Sequence, residues 1–287
     1  MNLNANSGQD FPEWPADQWV DPLEERAKLR IRLQRFRIGF GLIGLSLALL
    51  SLHTIGELLL AFRRGPGLAG QLGIPHFELI TGAIISLGAL LGTLMICGPW
   101  PDANWQKRSG ILLMFNLTDA IIWTMDNASV LGLYDGKIGH EWFLNSLTRV
   151  MAWSEFALTV SLAADIASQL GQPKATEMSR SARSLTTTGA MVWFMFFISF
   201  TDWSTPIWPL RRVPFLNPGT LMLYLSWHVL FVIVLVQVTI MSLLAARCCV
   251  NRLREMALAD RANDMMPSRS EDGWEDMIRK SGPQGGP

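Results

Sequence analysis

The sequence predicts an all-α, polytopic transmembrane helical bundle of about six spans, with both ends on the cytoplasmic side. Charged residues are concentrated in the two ends and in short connectors, and the runs between them are long and apolar. A helix that crosses a bilayer needs about 20 mainly apolar residues, and several runs reach that length. The connectors are rich in glycine and proline, which end helices.

The predicted elements follow one another along the chain. Residues 1–21 are acidic and poor in aliphatic side chains, which is typical of a flexible tail. Residues 22–37 predict a basic amphipathic juxtamembrane helix suited to anionic lipid headgroups. The six-helix transmembrane domain covers 38–246, and 247–287 form a cytoplasmic C-terminal tail. The predicted spans are 38–62, 77–98, 111–133, 143–170, 187–208 and 220–246.

Basic residues predict the orientation of the bundle. The N-terminal flank, the second and fourth connectors and the C-terminal flank carry most of the lysines and arginines. Cytoplasmic loops carry this excess, so we expect both termini on the cytoplasmic side of the membrane. We expect that membrane to be the inner membrane of a bacterium. Tryptophans at the span ends, Trp100, Trp105, Trp142 and Trp208, suit an aromatic belt. The N-terminus lacks the apolar region of a cleavable signal peptide, so the first span is the expected insertion signal.

Ionisable residues inside the predicted spans are the informative feature. A charge at the bilayer centre costs about 2.5–3.5 kcal/mol on insertion scales, so each should face protein or water and be paired. At about 1.5 Å rise per residue, most fall in a layer toward the external side, with Arg149 as the countercharge. Asp165 lies nearer the cytoplasmic face, where we expect it either to snorkel to the interface or to pair with a connector base. The predicted polar layer contains Glu57, Asp119, Asp126, Arg149, Glu155 and Asp202.

Three functions fit such a layer, and a structural role as contacts between helices competes with them. The first is ion- or proton-linked transport or conduction, because intramembrane carboxylates can relay protons. The second is binding of a metal ion or a haem by His53 and His228, which lie at similar predicted depths. The third is a membrane enzyme, which ranks last because the sequence has no G-x-S-x-G or paired metal-binding motif.

The alternative to transport is a non-catalytic accessory subunit of a larger membrane complex. Glycines at helical spacing, such as Gly88-x-x-x-Gly92, allow close helix contact and offer a face to a membrane-protein partner or a second copy. Membrane lipids are the other expected partners. The zero net charge lacks the basic balance of a nucleic-acid binder. Cys97, Cys248 and Cys249 form neither a disulfide framework nor a zinc motif.

Overall fold

The computed structural model describes residues 22–62, 76–98, 100, 103–127, 141–170, 173–199 and 218–265. The all-α class is confirmed for these residues, which contain six helices. In chain order the helices are α1 (Pro22–Phe62), α2 (Phe77–Ile96), α3 (Ala103–Asp126), α4 (Glu141–Gln169), α5 (Pro173–Ser199) and α6 (Pro218–Met265). Three of them are long and apolar enough to cross a membrane, over Glu24–Leu59 in α1, Phe77–Ile96 in α2 and His228–Ala262 in α6.

Consecutive helices run antiparallel. Along α1 and α2, Gly39 lies opposite Gly92 and Ser46 lies opposite Gly88, so the numbering rises on one helix as it falls on the other. The pairs of α1 with α6, of α3 with α4 and of α4 with α5 show the same reversal. Helix α1 packs against both α2 and α6, and α6 also packs against α4 and α5.

The small residues Gly88 and Gly92 of α2 pack against α1 of the same chain. A Cβ atom built on Gly92 would lie 2.7 Å from the carbonyl oxygen of Gly39, and one on Gly39 would lie 2.7 Å from the carbonyl oxygen of Gly92. A Cβ on Gly88 would collide with the Ser46 hydroxyl. Because α1 covers this face, Gly88-x-x-x-Gly92 makes a close helix contact within the bundle, as its spacing predicts. Its use by a partner or a second copy stays a prediction.

Large apolar side chains cover the outside of several helices. On α1 the exposed ones recur every seven residues, at Ile31, Ile38, Leu45, Leu52 and Leu59. Helix α3 carries a similar outer stripe, made of Ile111, Met114, Leu117, Ile121 and Met125. Helix α5 differs, because its exposed residues between Glu177 and Thr188 are mainly polar. A helix of a soluble bundle turns a polar face outward, so the outer stripes of α1 and α3 are of the kind that a bilayer favours.

Polar side chains lie in the interior instead. The buried hydroxyl and amide residues are Ser46, Ser51, Thr81, Thr93, Ser109, Asn116, Thr159, Ser179, Thr186, Thr239 and Ser242. Many of them bond to the carbonyl one turn earlier, as Thr93 Oγ1 does to Ala89 O at 2.8 Å and Ser242 Oγ does to Val238 O at 2.9 Å. These side chains therefore find their partners within their own helices, as a water-free interior requires.

Two helices begin earlier than the predicted spans. Helix α3 begins at Ala103 and α5 at Pro173, against predicted span starts at 111 and 187. The extra turns carry lysine and arginine, which favour a helix as much as leucine does. Hydropathy marks where the apolar stretch begins, and the helix itself begins earlier, at Ala103 in α3 and at Pro173 in α5.

The predicted juxtamembrane segment 22–37 is the first part of the continuous helix α1. Its apolar residues Leu33 and Phe36 are buried, and Arg30 forms an ion pair with Asp260 of α6. Helix α6 continues to Met265, beyond the predicted span end at 246. The start of α1 and the end of α6 therefore form a two-helix stalk that projects from the bundle.

Trp105 does not belong to an outer aromatic belt. Its side chain is fully buried, and Nε1 donates a hydrogen bond to the carbonyl oxygen of Ile96 at 3.1 Å. Its ring centroid lies 5.1 Å from that of Phe36 and 6.0 Å from that of Trp100. The indole therefore fastens the start of α3 to α1 and to the end of α2.

Candidate functional site

Two carboxylates meet at the contact between α3 and α4. Asp119 of α3 lies close enough to Glu155 of α4 for its charge to act on the Glu155 carboxylate. Glu155 Oε1 is buried, and it has no hydrogen-bond partner among the residues that the structure describes. The antiparallel register of α3 and α4 creates this pair, since Arg108 near the start of α3 already contacts Ser161 near the end of α4.

Aromatic side chains cover the part of α4 that faces away from the pair. Trp153, two residues before Glu155, is buried, and its ring meets those of Phe156 and Phe231 at centroid distances of 6.2 and 5.7 Å. Gly189 of α5 makes room for this indole, because a Cβ there would collide with the ring. Residues two positions apart point to nearly opposite sides of a helix, so α5 and α6 pack on the face of α4 opposite Glu155.

The pair lies near the middle of the bundle. The ring contact of Trp105 with Phe36 sets the level of α3 against α1, and it places Asp119 near Leu50. From the carboxylate pair, Asp165 is ten residues further along α4, or about 15 Å, and His53 is about three residues further along α1, or roughly 5 Å in the opposite direction. The candidate site is thus a series of polar levels along the bundle axis.

Two histidines and a carboxylate lie beyond the carboxylate pair, in the direction of His53. His53 Nδ1 is buried without a hydrogen-bond partner in the described part of the chain, and its ring lies 6.2 Å from that of Phe77. His228 of α6 is only 9% exposed, and the α1–α6 register places it near the level of Leu59. Gln237 Oε1 of α6 is a second buried atom without a hydrogen-bond partner among the described residues, and it lies near the level of Leu50.

Among the described residues, the fold does not bring together a set of ligands for the predicted metal or haem site. Within the described ranges, no three His, Cys, Asp or Glu side chains come together in a way that could hold a metal ion. The register separates His53 from His228 by about six residues along the axis, or about 9 Å. Glu57 and His228 both take part in polar interactions.

Three predicted site residues cannot be placed in this arrangement. Asp202 lies outside the described residues. Asp126 is the last residue of α3, and Arg149 is in the first half of α4, but their side chains are also outside the description. The role of Arg149 as countercharge to the carboxylates therefore stays a prediction.

Asp165 anchors a second charged cluster, about 15 Å from the carboxylate pair. Arg108 Nη1 lies 2.6 Å from Asp165 Oδ2 and donates to Ser161 Oγ at 2.9 Å. The Asp165 contact is an ion pair rather than an aligned hydrogen bond, because the N–H points to the Ser161 hydroxyl. Arg183 Nη2 lies 3.5 Å from Asp165 Oδ1. The expected pairing of Asp165 with a connector base is found, but both bases lie on helices.

Other arginines and lysines gather at the level of this cluster. They are Arg35 and Arg37 of α1, Lys107 of α3, Arg180 of α5 and Arg247 of α6. Trp100 lies there too, and its Nε1 donates to Gln169 Oε1 at 2.5 Å. We call this end of the bundle, from which the stalk projects, the basic end.

The fold and the site define an all-helical protein, three of whose helices could cross a membrane. No family model, no curated protein and no solved structure matches the chain. The proposals about its function are therefore carried by its own residues.

Proposed function

We propose that this protein spans the membrane six times and conducts protons, or a cation linked to them, through a path that contains Asp119 and Glu155. One observation carries the proposal: Asp119 and Glu155 lie near each other on neighbouring helices, and Glu155 Oε1 is buried without a hydrogen-bond partner among the described residues. Intramembrane carboxylates are costly to insert and recur in proton relays and ion paths.

The membrane placement rests on the faces of the helices. Helices α1, α2 and α6 each contain a stretch that is long and apolar enough to cross a bilayer. Helix α3 carries polar residues inward, and its outer stripe from Ile111 to Met125 covers about 21 Å, most of a hydrocarbon core. The basic end would face the cytoplasm, which gives the N-in, C-in orientation and fits a bacterial inner membrane.

Electrostatics makes the carboxylate pair a proton carrier. Two carboxylates in a medium of low dielectric constant repel each other strongly, so at most one of them is easily ionised and the pair shares a proton. Glu155 Oε1 has no protein hydrogen-bond donor among the described residues. The Glu155 carboxyl group therefore either holds a proton or, when it is ionised, needs a water molecule or a cation beside it. Each of these is a species that a conducting path would carry.

Polar residues extend from the pair in both directions. Toward the basic end, Asn116 of α3 and Thr159 of α4 are buried before Asp165 is reached. Away from it, His53 and Glu57 follow on α1, one turn apart. The steps exceed a hydrogen bond, so water molecules would have to complete the path.

Reconstitution of the full chain into vesicles tests this function. With a potassium diffusion potential as driving force and an internal pH dye as reporter, wild-type protein is expected to admit protons faster than empty vesicles. Glu155→Gln and Asp119→Asn are expected to reduce that rate to the level of empty vesicles, because neither amide can bind and release a proton. Glu177→Gln is the matched control, since Glu177 is an exposed carboxylate on α5, remote from the pair.

Two results would overturn the proposal. If folded Glu155→Gln and Asp119→Asn both conduct as wild type does, the pair is not in the path. If folded wild-type protein gives no flux for protons, sodium or potassium, conduction itself is wrong. The accessory-subunit alternative would then apply, and it predicts stoichiometric partners after purification in a mild detergent.

A further inference from the structure

The charged cluster of Arg108, Asp165 and Arg183 has more positive than negative charge. One carboxylate faces two guanidinium groups, one from α3 and one from α5. The two arginines are not equally engaged. Arg108 has short contacts to Asp165 and Ser161, and its Nε also donates to the carbonyl oxygen of Asn104 at 3.3 Å.

Arg183 is held weakly by comparison. Its Nη2 reaches the carbonyl oxygen of Ser161 at 3.4 Å and Asp165 Oδ1 at 3.5 Å, both longer than the usual 2.9–3.0 Å of such bonds. The side chain is 46% exposed, against 24% for Arg108. The Arg183 guanidinium therefore keeps N–H groups directed away from the cluster. The carboxylate beside it, Asp165, is already shared with Arg108.

The level of the cluster indicates which kind of anion it meets. Trp100 and the basic residues Arg37 and Arg247 lie at the same end, where an apolar span gives way to charge. Tryptophan and basic side chains mark the headgroup region of a bilayer. Basic pockets between helices on the cytoplasmic side bind anionic lipid headgroups.

We propose that Arg183, held beside Asp165 and backed by Arg108, binds the phosphate of an anionic phospholipid headgroup between α3, α4 and α5. The planar guanidinium presents two parallel N–H groups, which match two phosphate oxygens. Asp165 keeps both guanidinium groups in place, and the phosphate supplies the missing negative charge. This site depends on the proposed membrane placement and not on proton conduction.

Lipid binding to the purified full chain tests the site. In native mass spectrometry from detergent, wild-type protein is expected to retain phosphatidylglycerol in preference to phosphatidylcholine, whose choline group cancels the phosphate charge. Arg183→Gln is expected to weaken phosphatidylglycerol binding about tenfold, the effect of one lost charge-assisted pair. Arg254→Gln is the matched control, since Arg254 is an exposed arginine on the stalk of α6.

The outcomes separate the sources of the phosphate. Displacement of the lipid by millimolar inorganic phosphate would show that the site takes a soluble phosphate and would overturn the headgroup assignment. Equal losses in the two variants, or no loss in Arg183→Gln, would overturn the site altogether. If Arg183→Gln is not monodisperse, Arg183→Lys replaces it. Lysine keeps the charge without the planar pair of donors, so binding several-fold weaker than wild type is expected, and unchanged binding would contradict the proposal.

Discussion

The closest helix contact that the structure shows can be tested with a single methyl group. Gly92 of α2 faces α1 where the two backbones approach each other, and Gly92→Ala adds one Cβ at that point. This atom would lie 2.7 Å from the carbonyl oxygen of Gly39, 2.7 Å from Ile43 Cγ1 and 3.0 Å from the Ile43 backbone nitrogen. Two of these three neighbours are backbone atoms, so a side-chain rotation cannot relieve the contact.

The expected loss of stability follows from these distances. Ordinary contact begins at 3.4 Å, so α1 and α2 would have to separate by about 0.7 Å at this level. Overpacking of this kind costs about 1–3 kcal/mol. Alanine in place of glycine returns about 0.5–1 kcal/mol in a helix. Gly92→Ala is therefore expected to lower the free energy of unfolding by about 1–2 kcal/mol, or roughly 5- to 30-fold in the equilibrium constant.

Unfolding in mixed micelles with an increasing fraction of dodecyl sulfate, followed by circular dichroism, measures this change. Gly41→Ala is the matched control, because a Cβ on Gly41 meets no atom within 4 Å. It should leave stability unchanged or raise it by up to about 1 kcal/mol. Wild-type stability in Gly92→Ala, or an equal loss in both variants, would refute the close α1–α2 contact and the register built on it.

Three further changes test other parts of the structure. Trp105→Ala is expected to lower the free energy of unfolding by about 3–5 kcal/mol in the same micelle assay, because it empties a fully buried site. Asp165→Asn is expected to lower the free energy of unfolding by about 1 kcal/mol, and by less at about 1 M salt, because the ion pairs are partly exposed. A loss of stability that does not change with salt would argue against these ion pairs. In protein without its native cysteines, Ile31→Cys is expected to react with an impermeant maleimide only in inside-out vesicles, and Leu45→Cys in neither orientation. Labelling of Ile31→Cys from outside the cell would contradict the proposed orientation.

Much of the helix pattern could be predicted because prolines and hydropathy mark it locally. Pro22 occupies the first turn of α1, as its sequence context predicts. The predicted end of the first span at 62 is the end of α1, and the predicted start of the second span at 77 is the start of α2. The starts of α3 and α5 could not be placed from hydropathy. Charged residues such as Lys107 and Arg108 mark where an apolar stretch ends, and they do not stop a helix.

The individual site residues could be predicted more easily than their grouping. Asp119 and Glu155 stand out in the sequence as carboxylates inside apolar stretches, near the middle of their spans. Their meeting depends on the register of α3 against α4, which is set by contacts such as that of Arg108 with Ser161. Such contacts join residues about fifty positions apart, and nothing local in the sequence specifies them. The predicted polar layer also depends on Asp126, Arg149 and Asp202, whose side chains lie outside the described residues, so that layer stays a prediction.

Average hydropathy finds three candidate spans among the described helices. The average treats every residue of a helix equally, whereas a bilayer contacts only the outer face. Helix α3 has a low average because it carries Asn116 and Asp119 away from its outer stripe, and yet Met114, Leu117 and Ile121 are exposed on the other side. A helix that lines an ion path must carry polar residues inward, and these residues lower its average hydropathy. If the proposed conduction is right, its residues should therefore lie on helices of low average hydropathy, and α3 and α4 are the two that bring Asp119 near Glu155.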